Sequence, residues 1–226
     1  MREIYLDTAA TTPCDPRVLK VMAPFWSKIY GNPSSFNDAG RNAKKGLDEA
    51  RKKIARLLGT KIQEIIFTSS ATEANNLAIF GIAKAAHKLH IITTSIEHHS
   101  VLEPIKKLEK EGFEITYLPV NKKGVINLED FKRALRPETF LVSIIYVNNE
   151  IGSSQPIKKI GKIIKEFKKN NGPLYFHVDA SQAAGHLDIN ANNLGVDLMT
   201  ISSHKIYGPK GIAALYVRRG TEIKPL

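Results

Sequence analysis

The sequence is poor in cysteine and has no long apolar run. Its single cysteine, Cys14, cannot form a disulfide within one chain, which agrees with a reducing compartment and favours the cytoplasm. The longest apolar run, 140–147, is interrupted by Ser143 and is too short to cross a bilayer. Residues 1–13 contain Asp7 and no apolar stretch flanked by basic residues, so a secretory signal is not expected. We therefore predict a chain without a membrane segment.

The sequence also lacks internal repeats, low-complexity tracts and Gly/Ser linkers, so we expect no domain boundary within it. Its 226 residues are 42% hydrophobic and 24% charged, which is typical of a soluble globular protein. This length suits one large α/β unit that spans residues 1–226.

Positive charge is in excess, with 33 lysines and arginines against 22 acidic residues and a formal net charge of +11. Many lysines recur at helical spacing, as they do between residues 158 and 169. That pattern is typical of a solvated helix face, so we expect no direct nucleic-acid binding. An anionic small ligand or an acidic protein partner is compatible with the charge.

Helical and strand-like segments alternate along the chain. Asp15 followed by Pro16 predicts a helix start, and Gly59 predicts the end of an amphipathic helix. Helices are predicted at 16–27, 39–58, 72–88, 99–111, 128–135 and 156–170, and strands at 65–68, 91–94, 115–118, 140–147, 174–178, 198–201 and 212–217. Several strands are apolar on both faces, which indicates a three-layer α/β/α fold with a mostly parallel seven-stranded sheet.

Polar clusters follow five of the predicted strands, where ligands of such folds bind. These clusters are Ser69-Ser70-Ala71-Thr72-Glu73, Ser95-Ile96-Glu97-His98-His99-Ser100, Asn148-Asn149-Glu150, Asp179-Ala180-Ser181-Gln182 and Ser202-Ser203-His204-Lys205. The first cluster opens a helix, where free backbone N–H groups and the positive end of the dipole suit a phosphate. An ordinary Ser/Thr helix cap explains that cluster equally well. Five clusters at five strand ends suggest one shared site.

Two charged residues stand out by their surroundings. Asp179 ends the apolar run 174–178, so its carboxylate leaves a buried strand and favours a cationic partner such as a protonated pyridine nitrogen. An ordinary helix cap is the alternative. Lys205 lies in a tight polar loop, whereas most lysines are solvated surface cations. A lysine that forms a Schiff base must be partly desolvated, and this setting permits it.

The adjacent histidines His98 and His99 raise the question of a metal. Neighbouring residues on an extended segment point to opposite sides, so we expect no shared zinc and no metal site. Stacking on an aromatic cofactor ring, or acid–base chemistry beside it, is the stronger functional interpretation for one of the pair.

Together these residues resemble the cysteine desulfurases of the NifS and IscS kind, within the class V aminotransferases and the fold-type I pyridoxal-phosphate (PLP) enzymes. The resemblance covers essentially the whole chain. It rests on Tyr5-Leu6-Asp7-Thr8-Ala9-Ala10-Thr11-Thr12, Gly31-Asn32-Pro33-Ser34-Ser35, Thr72-Glu73-Ala74-Asn75-Asn76, Glu97-His98, Val147-Asn148-Asn149-Glu150-Ile151-Gly152, His177-Val178-Asp179-Ala180-Ser181-Gln182 and Ser203-His204-Lys205-Ile206-Tyr207-Gly208-Pro209-Lys210-Gly211. It implies the large domain of a PLP transferase, with PLP as the cofactor.

The resemblance also implies roles for individual positions. Lys205 resembles the Schiff-base lysine, Asp179 the partner of the pyridine nitrogen, and Gln182 the partner of the phenolic oxygen. His98 resembles a histidine that stacks on the ring and moves protons. The remaining implied contacts are those of Ala71, Thr72, Ser202 and His204 with the phosphate and of Asn149 near the substrate and ring.

The implied reaction converts L-cysteine to L-alanine and passes the sulfur, as a persulfide, to an acceptor protein of iron–sulfur cluster assembly or tRNA thiolation. A homodimer is expected from the same resemblance. The rivals are a selenocysteine lyase, another class V transaminase or lyase, and a non-catalytic scaffold whose basic surface binds an acidic partner or RNA.

The sequence departs from the family in three ways. Relatives continue with a small domain that carries the nucleophilic cysteine and a carboxylate-binding arginine, and neither follows Leu226. Cys14 does not align with the catalytic position, and Asn37 replaces a histidine common after the Asn-Pro-Ser-Ser motif. We therefore expect a fragment of a longer enzyme, or a split or degenerate protein, in which residues 1–30 pack with the small domain that is absent here.

Overall fold

The structure, a computed structural model, describes residues 4–87 and 89–226. Within that part of the chain one sheet contains seven strands: β1 (Ile65–Thr68), β2 (His90–Thr94), β3 (Glu114–Leu118), β4 (Thr139–Ile145), β5 (Tyr175–Asp179), β6 (Leu198–Ser202) and β7 (Ala213–Val217). Their order is β1-β7-β6-β5-β4-β2-β3, and only β7 runs antiparallel to its neighbours. The predicted mostly parallel seven-stranded sheet is confirmed.

Helices connect the strands and cover the sheet. They are α1 (Pro16–Met22), α2 (Pro24–Ser27), α3 (Asp38–Leu58), α4 (Ala71–Ala83), α5 (His99–Lys110), α6 (Leu128–Ala134), α7 (Ile157–Asn171) and α8 (Ala191–Leu194), with short 3-10 turns at Ile62–Glu64 and Ser203–Lys205. Of the described helices, none combines the length and apolarity that crossing a membrane requires.

The apolar strands bury both faces, as their sequences predict. Ile91 and Leu141 pack on one face with residues of α4 and α5. The next residue of each strand, Ile92 and Val142 respectively, packs on the other face with residues of α3, α6, α7 and α8. Because successive side chains of a strand alternate between faces, this arrangement gives three layers.

The predicted single helix 16–27 is wrong, because the chain forms two helices that meet at Ala23. Pro24 has no backbone N–H to donate to the preceding turn, so it ends α1 and opens α2. The predicted helix start is confirmed, since the Asp15 side chain accepts a hydrogen bond from Arg17 N at 2.7 Å.

The predicted helix 72–88 is too long, and its last residue lies outside the described residues. α4 ends at Ala83 because the carbonyl of Gly81 accepts from Lys224 N at 3.0 Å, while Ala85 N turns to Ile82 O. A side chain at Gly81 would have its Cβ 2.6 Å from Lys224 O, so the close approach requires glycine. The end of α3 is as predicted, with Gly59 in the left-handed region at φ 65°.

Candidate active site

The polar clusters at the strand ends line one cavity of about 550 Å³. Strands β1, β2, β4, β5 and β6 run in the same direction, so their carboxyl ends meet at one edge of the sheet. All nine residues proposed from the sequence line this cavity: Ala71, Thr72, His98, Asn149, Asp179, Gln182, Ser202, His204 and Lys205.

The cavity also includes residues for which the sequence reasoning assigned no role. The most important belong to the N-terminal segment, namely Asp7, Ala9 and Ala10. The resemblance included this segment, but nothing in its local pattern indicated that it folds over a strand end. The others are Ser70, Ser100, Ile145, Glu150 and Ser181.

The N-terminal segment is hydrogen-bonded to the loop that carries Lys205. Thr12 donates through both its backbone N–H and its hydroxyl to the carbonyl of His204, each at 2.9 Å. The same hydroxyl accepts from Tyr207 N at 2.8 Å, and Tyr207 O accepts from Asp15 N at 2.9 Å. Among the described non-glycine residues only Tyr207 has a positive φ, 61°, so these bonds hold an uncommon turn beside Lys205.

Lys205 lies partly buried against this segment. Its Nζ donates to Ala10 O at 2.8 Å and also to Ala9 O. Burial lowers the pKa of Lys205, and the negative charges of Asp179 and Asp7 oppose that shift. A lowered pKa increases the fraction of neutral amine, which is the nucleophilic form.

Asp179 is buried, with 5% of its surface exposed. Its Oδ2 accepts from the Asn75 amide at 2.8 Å, and its Oδ1 accepts from Ser181 N at 2.9 Å. Among the described residues Asp179 belongs to none of the ion pairs. The carboxylate therefore caps a turn after β5 and also faces the cavity, whereas the alternative of a helix cap is wrong, because the next helix begins only at Ala191.

His98 is the N-cap of α5, and His99 is the first residue of that helix. The expectation of an extended segment for the pair is therefore wrong, because α5 begins between them. His98 Nδ1 accepts from Ser100 N at 3.1 Å and lies 2.7 Å from Ser100 Oγ. Across residues 4–87 and 89–226, no group of three or more His, Cys, Asp or Glu side chains is arranged to hold a metal.

The start of α4 forms the helix cap that its sequence indicates, and it also lies beside the cavity. Ser70 Oγ accepts from Glu73 N at 3.1 Å, and the Glu73 carboxylate accepts from Ser69 N at 2.6 Å, which together form a helix cap. Ala71 and Thr72 are the first two helical residues, and both line the cavity. Their backbone N–H groups lie at the positive end of the helix dipole, where an anion is favoured.

Polar side chains complete the rim. Gln182 Nε2 donates to Ala9 O at 2.9 Å, and His204 Nδ1 lies 3.1 Å from Thr11 Oγ1. Burial lowers the pKa of His204, and the charges of Lys205 and Lys210 lower it further. At neutral pH this imidazole is uncharged, so one of its nitrogens donates a hydrogen bond and the other accepts one.

Residues 4–226 match the family model described as aminotransferase class-V, so the chain belongs to the class-V aminotransferase family. Within that family the chain is similar to cysteine desulfurases. It is 53% identical over 227 residues to the cysteine desulfurase IscS of Dictyoglomus turgidum, a match that covers 100% of this chain and 56% of the relative.

Solved structures agree with this similarity. A NifS-like protein superposes with a TM-score of 0.95 at 41% identity and covers 100% of this chain and 61% of its own. A structure of SspA in complex with cysteine superposes with a TM-score of 0.94 at 42% identity and covers 99% of this chain and 64% of its own.

These comparisons confirm the resemblance and the PLP-transferase fold. Class-V aminotransferases and cysteine desulfurases are PLP-dependent enzymes. The chain spans about half the length of the curated relatives it matches, 56% in the case of the Dictyoglomus protein.

Proposed function

We propose that this chain forms the PLP site of a cysteine desulfurase, with Lys205 as the residue that holds the cofactor covalently. One observation carries the proposal. A lysine with a lowered pKa and a buried aspartate that has only neutral partners line the same cavity of about 550 Å³. An amine that attacks an aldehyde and a carboxylate that attracts a protonated ring nitrogen are the two groups that PLP requires.

The remaining residues suit the other parts of the cofactor. The start of α4 at Ala71 and Thr72, with Ser202 and His204, supplies donors for a phosphate. Gln182 has an amide that is able to donate to a phenolic oxygen. Asn149 lies on the loop after β4 and is assigned to the substrate side. Each end of the cofactor thus receives a matching partner from this chain.

When bound, PLP withdraws electrons from the substrate Cα and so acidifies its proton. Lys205 is assigned to release and recapture the cofactor, because its neutral amine exchanges with a substrate amine. His98 is assigned to stack beside the ring and to move protons, since one imidazole nitrogen accepts a hydrogen bond and the other donates one. Asp179 is assigned to keep a ring nitrogen protonated.

The proposed overall reaction takes L-cysteine to L-alanine and delivers sulfur as a persulfide. The similarity to cysteine desulfurases and to SspA, whose structure was solved with cysteine, supports that substrate. Cys14 is not among the residues that line the cavity. We therefore assign cofactor binding to this chain and do not assign Cys14 as the thiol that takes the sulfur. A sulfur-acceptor protein of iron–sulfur assembly or tRNA thiolation, a homodimer and a cytoplasmic location belong to the same proposal.

The domain prediction for residues 1–30 also belongs to the proposal, and residues 1–3 of that segment lie outside the described residues. Support comes from apolar side chains in the segment that stay exposed: Leu6 at 88%, Trp26 at 80% and Tyr30 at 76%. Exposed groups of this size commonly mark an interface.

The test is covalent trapping of the cofactor. Protein purified with PLP should be yellow, and borohydride should fix the cofactor to Lys205, as a peptide mass map will show. Lys205→Ala should lose the colour and the trapped mass. Lys210→Ala is the matched control, because it removes a nearby lysine and should retain both. A Lys205→Ala protein that stays equally yellow would contradict the assignment.

The reaction itself is tested by product analysis. Alanine formed from L-cysteine, and sulfide released from the persulfide by an added thiol reductant, should be measured on this chain and on a chain extended at its C terminus to the length of its relatives. We expect turnover only in the extended chain, since the cavity contains no cysteine. A selenocysteine lyase would instead turn over L-selenocysteine and leave L-cysteine unchanged.

A further inference from the structure

A buried chain of hydrogen bonds joins two residues of the proposed site. Asn75 on α4 donates one amide hydrogen to Asp179 Oδ2 at 2.8 Å and the other to Ser100 Oγ at 2.9 Å. Ser100 lies on α5, and its Oγ is 2.7 Å from His98 Nδ1. Asn75 is 0% exposed, so water does not compete for its two hydrogen bonds.

The direction of each bond follows from the atoms involved. Ser100 N–H is only able to donate, so His98 Nδ1 must be an acceptor without a proton. The neutral ring therefore carries its proton on Nε2. Since Nδ1 accepts, the Ser100 hydroxyl donates to it, and the same hydroxyl oxygen accepts from the Asn75 amide.

The orientation of the Asn75 amide is set by charge. Turning the amide round would place its oxygen against the Asp179 carboxylate, so that two acceptors would face each other. In the observed orientation Oδ1 of Asn75 is buried without a partner, and both donors are used. Asn75 therefore uses both of its donors at the cost of one unpaired buried acceptor. An apolar side chain of similar size would fill the same space without that cost, so the two donated hydrogen bonds account for an asparagine here.

We propose that Asn75 and Ser100 are positioning residues that fix the Asp179 carboxylate and hold His98 in the tautomer with its proton on Nε2. Their relevance to catalysis rests on the proposed PLP function, whereas the hydrogen bonds themselves do not. One amide and one hydroxyl thus link Asp179, the residue assigned to the ring nitrogen, to His98, the residue assigned to proton transfer. Neither Asn75 nor Ser100 needs to contact the substrate.

The first experiment measures the histidine tautomer by long-range ¹H–¹⁵N NMR on the full chain labelled at histidine, with and without PLP. In the parent protein His98 should carry its proton on Nε2 and none on Nδ1. Ser100→Ala keeps the backbone N–H donor to Nδ1 and removes only the hydroxyl donor, so it should lower the ratio of the Nε2–H to the Nδ1–H form about fivefold, as expected for one lost hydrogen bond. Ser100→Thr keeps the hydroxyl and should restore the parent ratio.

The control for a general loss of packing is Thr139→Val. Thr139 Oγ1 lies 2.7 Å from Nδ1 of another buried histidine, His90, which is not among the residues lining the cavity. This variant should leave the His98 signal unchanged. A His98 tautomer that is the same in Ser100→Ala as in the parent would overturn the proposal.

The second experiment measures PLP affinity by absorbance titration. Asn75→Ala should weaken binding about tenfold, because Asp179 loses one of its two donors, and Thr139→Val should bind as the parent does. If Asn75→Ala does not fold, Ser100→Ala decides the proposal through the NMR measurement alone. Failure of the parent to bind PLP would refute the proposed function and leave the tautomer result standing, so the two failures are distinguishable.

Discussion

Two buried aspartates occupy opposite ends of the sheet and differ in their partners. Asp197 precedes β6 at its amino end and Asp179 ends β5, with 7% and 5% of their surfaces exposed. Asp197 pairs with Lys168 at 2.7 Å and with Arg218 at 3.1 Å. Asp179 has hydrogen bonds from an amide side chain and a backbone N–H, and no ion pair among the described residues.

The difference distinguishes an aspartate whose charge is neutralised within the protein from one whose charge has only neutral partners among the described residues. A buried carboxylate is costly to desolvate, and direct cationic partners offset that cost for Asp197. At Asp179 neutral donors offset only part of it. The charge of Asp179 thus stays available to a cation that enters the cavity, and the charge of Asp197 does not.

Removing the charge of Asp179 should have the largest effect. In Asp179→Asn the amide cannot attract a protonated ring nitrogen, so PLP affinity should fall about a thousandfold, which corresponds to ~4 kcal/mol. The free energy of unfolding without PLP should fall by only ~1 kcal/mol, because no ion pair is lost and one of the two accepted hydrogen bonds is replaced by a contact between two donors. Absorbance titration with PLP and urea unfolding measure the two quantities.

Asp197→Asn is the reciprocal variant. It leaves Lys168 and Arg218 without their carboxylate and weakens the bond from Phe176 N, so unfolding should become easier by ~3 kcal/mol. Folded Asp197→Asn should bind PLP as the parent does. If Asp197→Asn loses PLP affinity and Asp179→Asn loses more stability than Asp197→Asn does, the comparison is reversed and the assignment of Asp179 is wrong.

Buried histidines make the stability of the folded protein depend on pH. His90, at the amino end of β2, lies between Thr139 Oγ1 and Thr116 Oγ1 at 2.7 and 2.8 Å, and burial lowers its pKa to about 4. The unfolded imidazole binds its proton near pH 6.5, so the unfolded state takes up a proton first as pH falls. This contribution to stability is complete above pH 6.5 and is lost by pH 4, a change of ~3 kcal/mol.

Urea unfolding at several pH values between 7 and 4 measures that change. In His90→Gln the free energy of unfolding should depend less on pH, because the contribution of His90 is removed. His177, on β5 beside the site, remains in the variant, and burial lowers its pKa too, so part of the dependence should persist. An unchanged slope in His90→Gln would show that the pKa of His90 is the same in the folded and unfolded states, which would contradict the shift caused by burial.

The smallest effect is expected for Lys168→Ala. Asp197 keeps Arg218 and the backbone N–H of Phe176, and Lys168 is 31% exposed, so the pair contributes little. The free energy of unfolding should fall by ~1 kcal/mol. A loss as large as that of Asp197→Asn would mean that Lys168 alone neutralises the aspartate.

Much of the fold was predictable because short apolar runs in the sequence indicate buried strands. Each of the seven predicted strands matches a strand of the sheet to within two residues at either end. Helix ends were less predictable. The break at Ala23 was visible in Pro24, but the end of α4 depends on Lys224, which is remote in the sequence.

The candidate site was predictable where residues follow strands. Asp179 ends a strand, and His98 and Lys205 lie in the segments that follow strands, so a parallel sheet brings the three together. Asn75 and Ser100 lie inside helices, where local sequence does not reveal that two side chains converge. The covering segment around Ala9 and Ala10 lies almost 200 residues from Lys205 and carries no local signal of that contact.

The amino-acid sequence by itself determined the three-layer fold and the set of polar residues at the carboxyl edge of its sheet, because both follow from apolar periodicity and strand direction. Only the tertiary structure decided which buried carboxylate is neutralised and which is left with neutral partners. Ion pairing depends on distances of about 3 Å between residues far apart in the chain, and no local pattern encodes those distances.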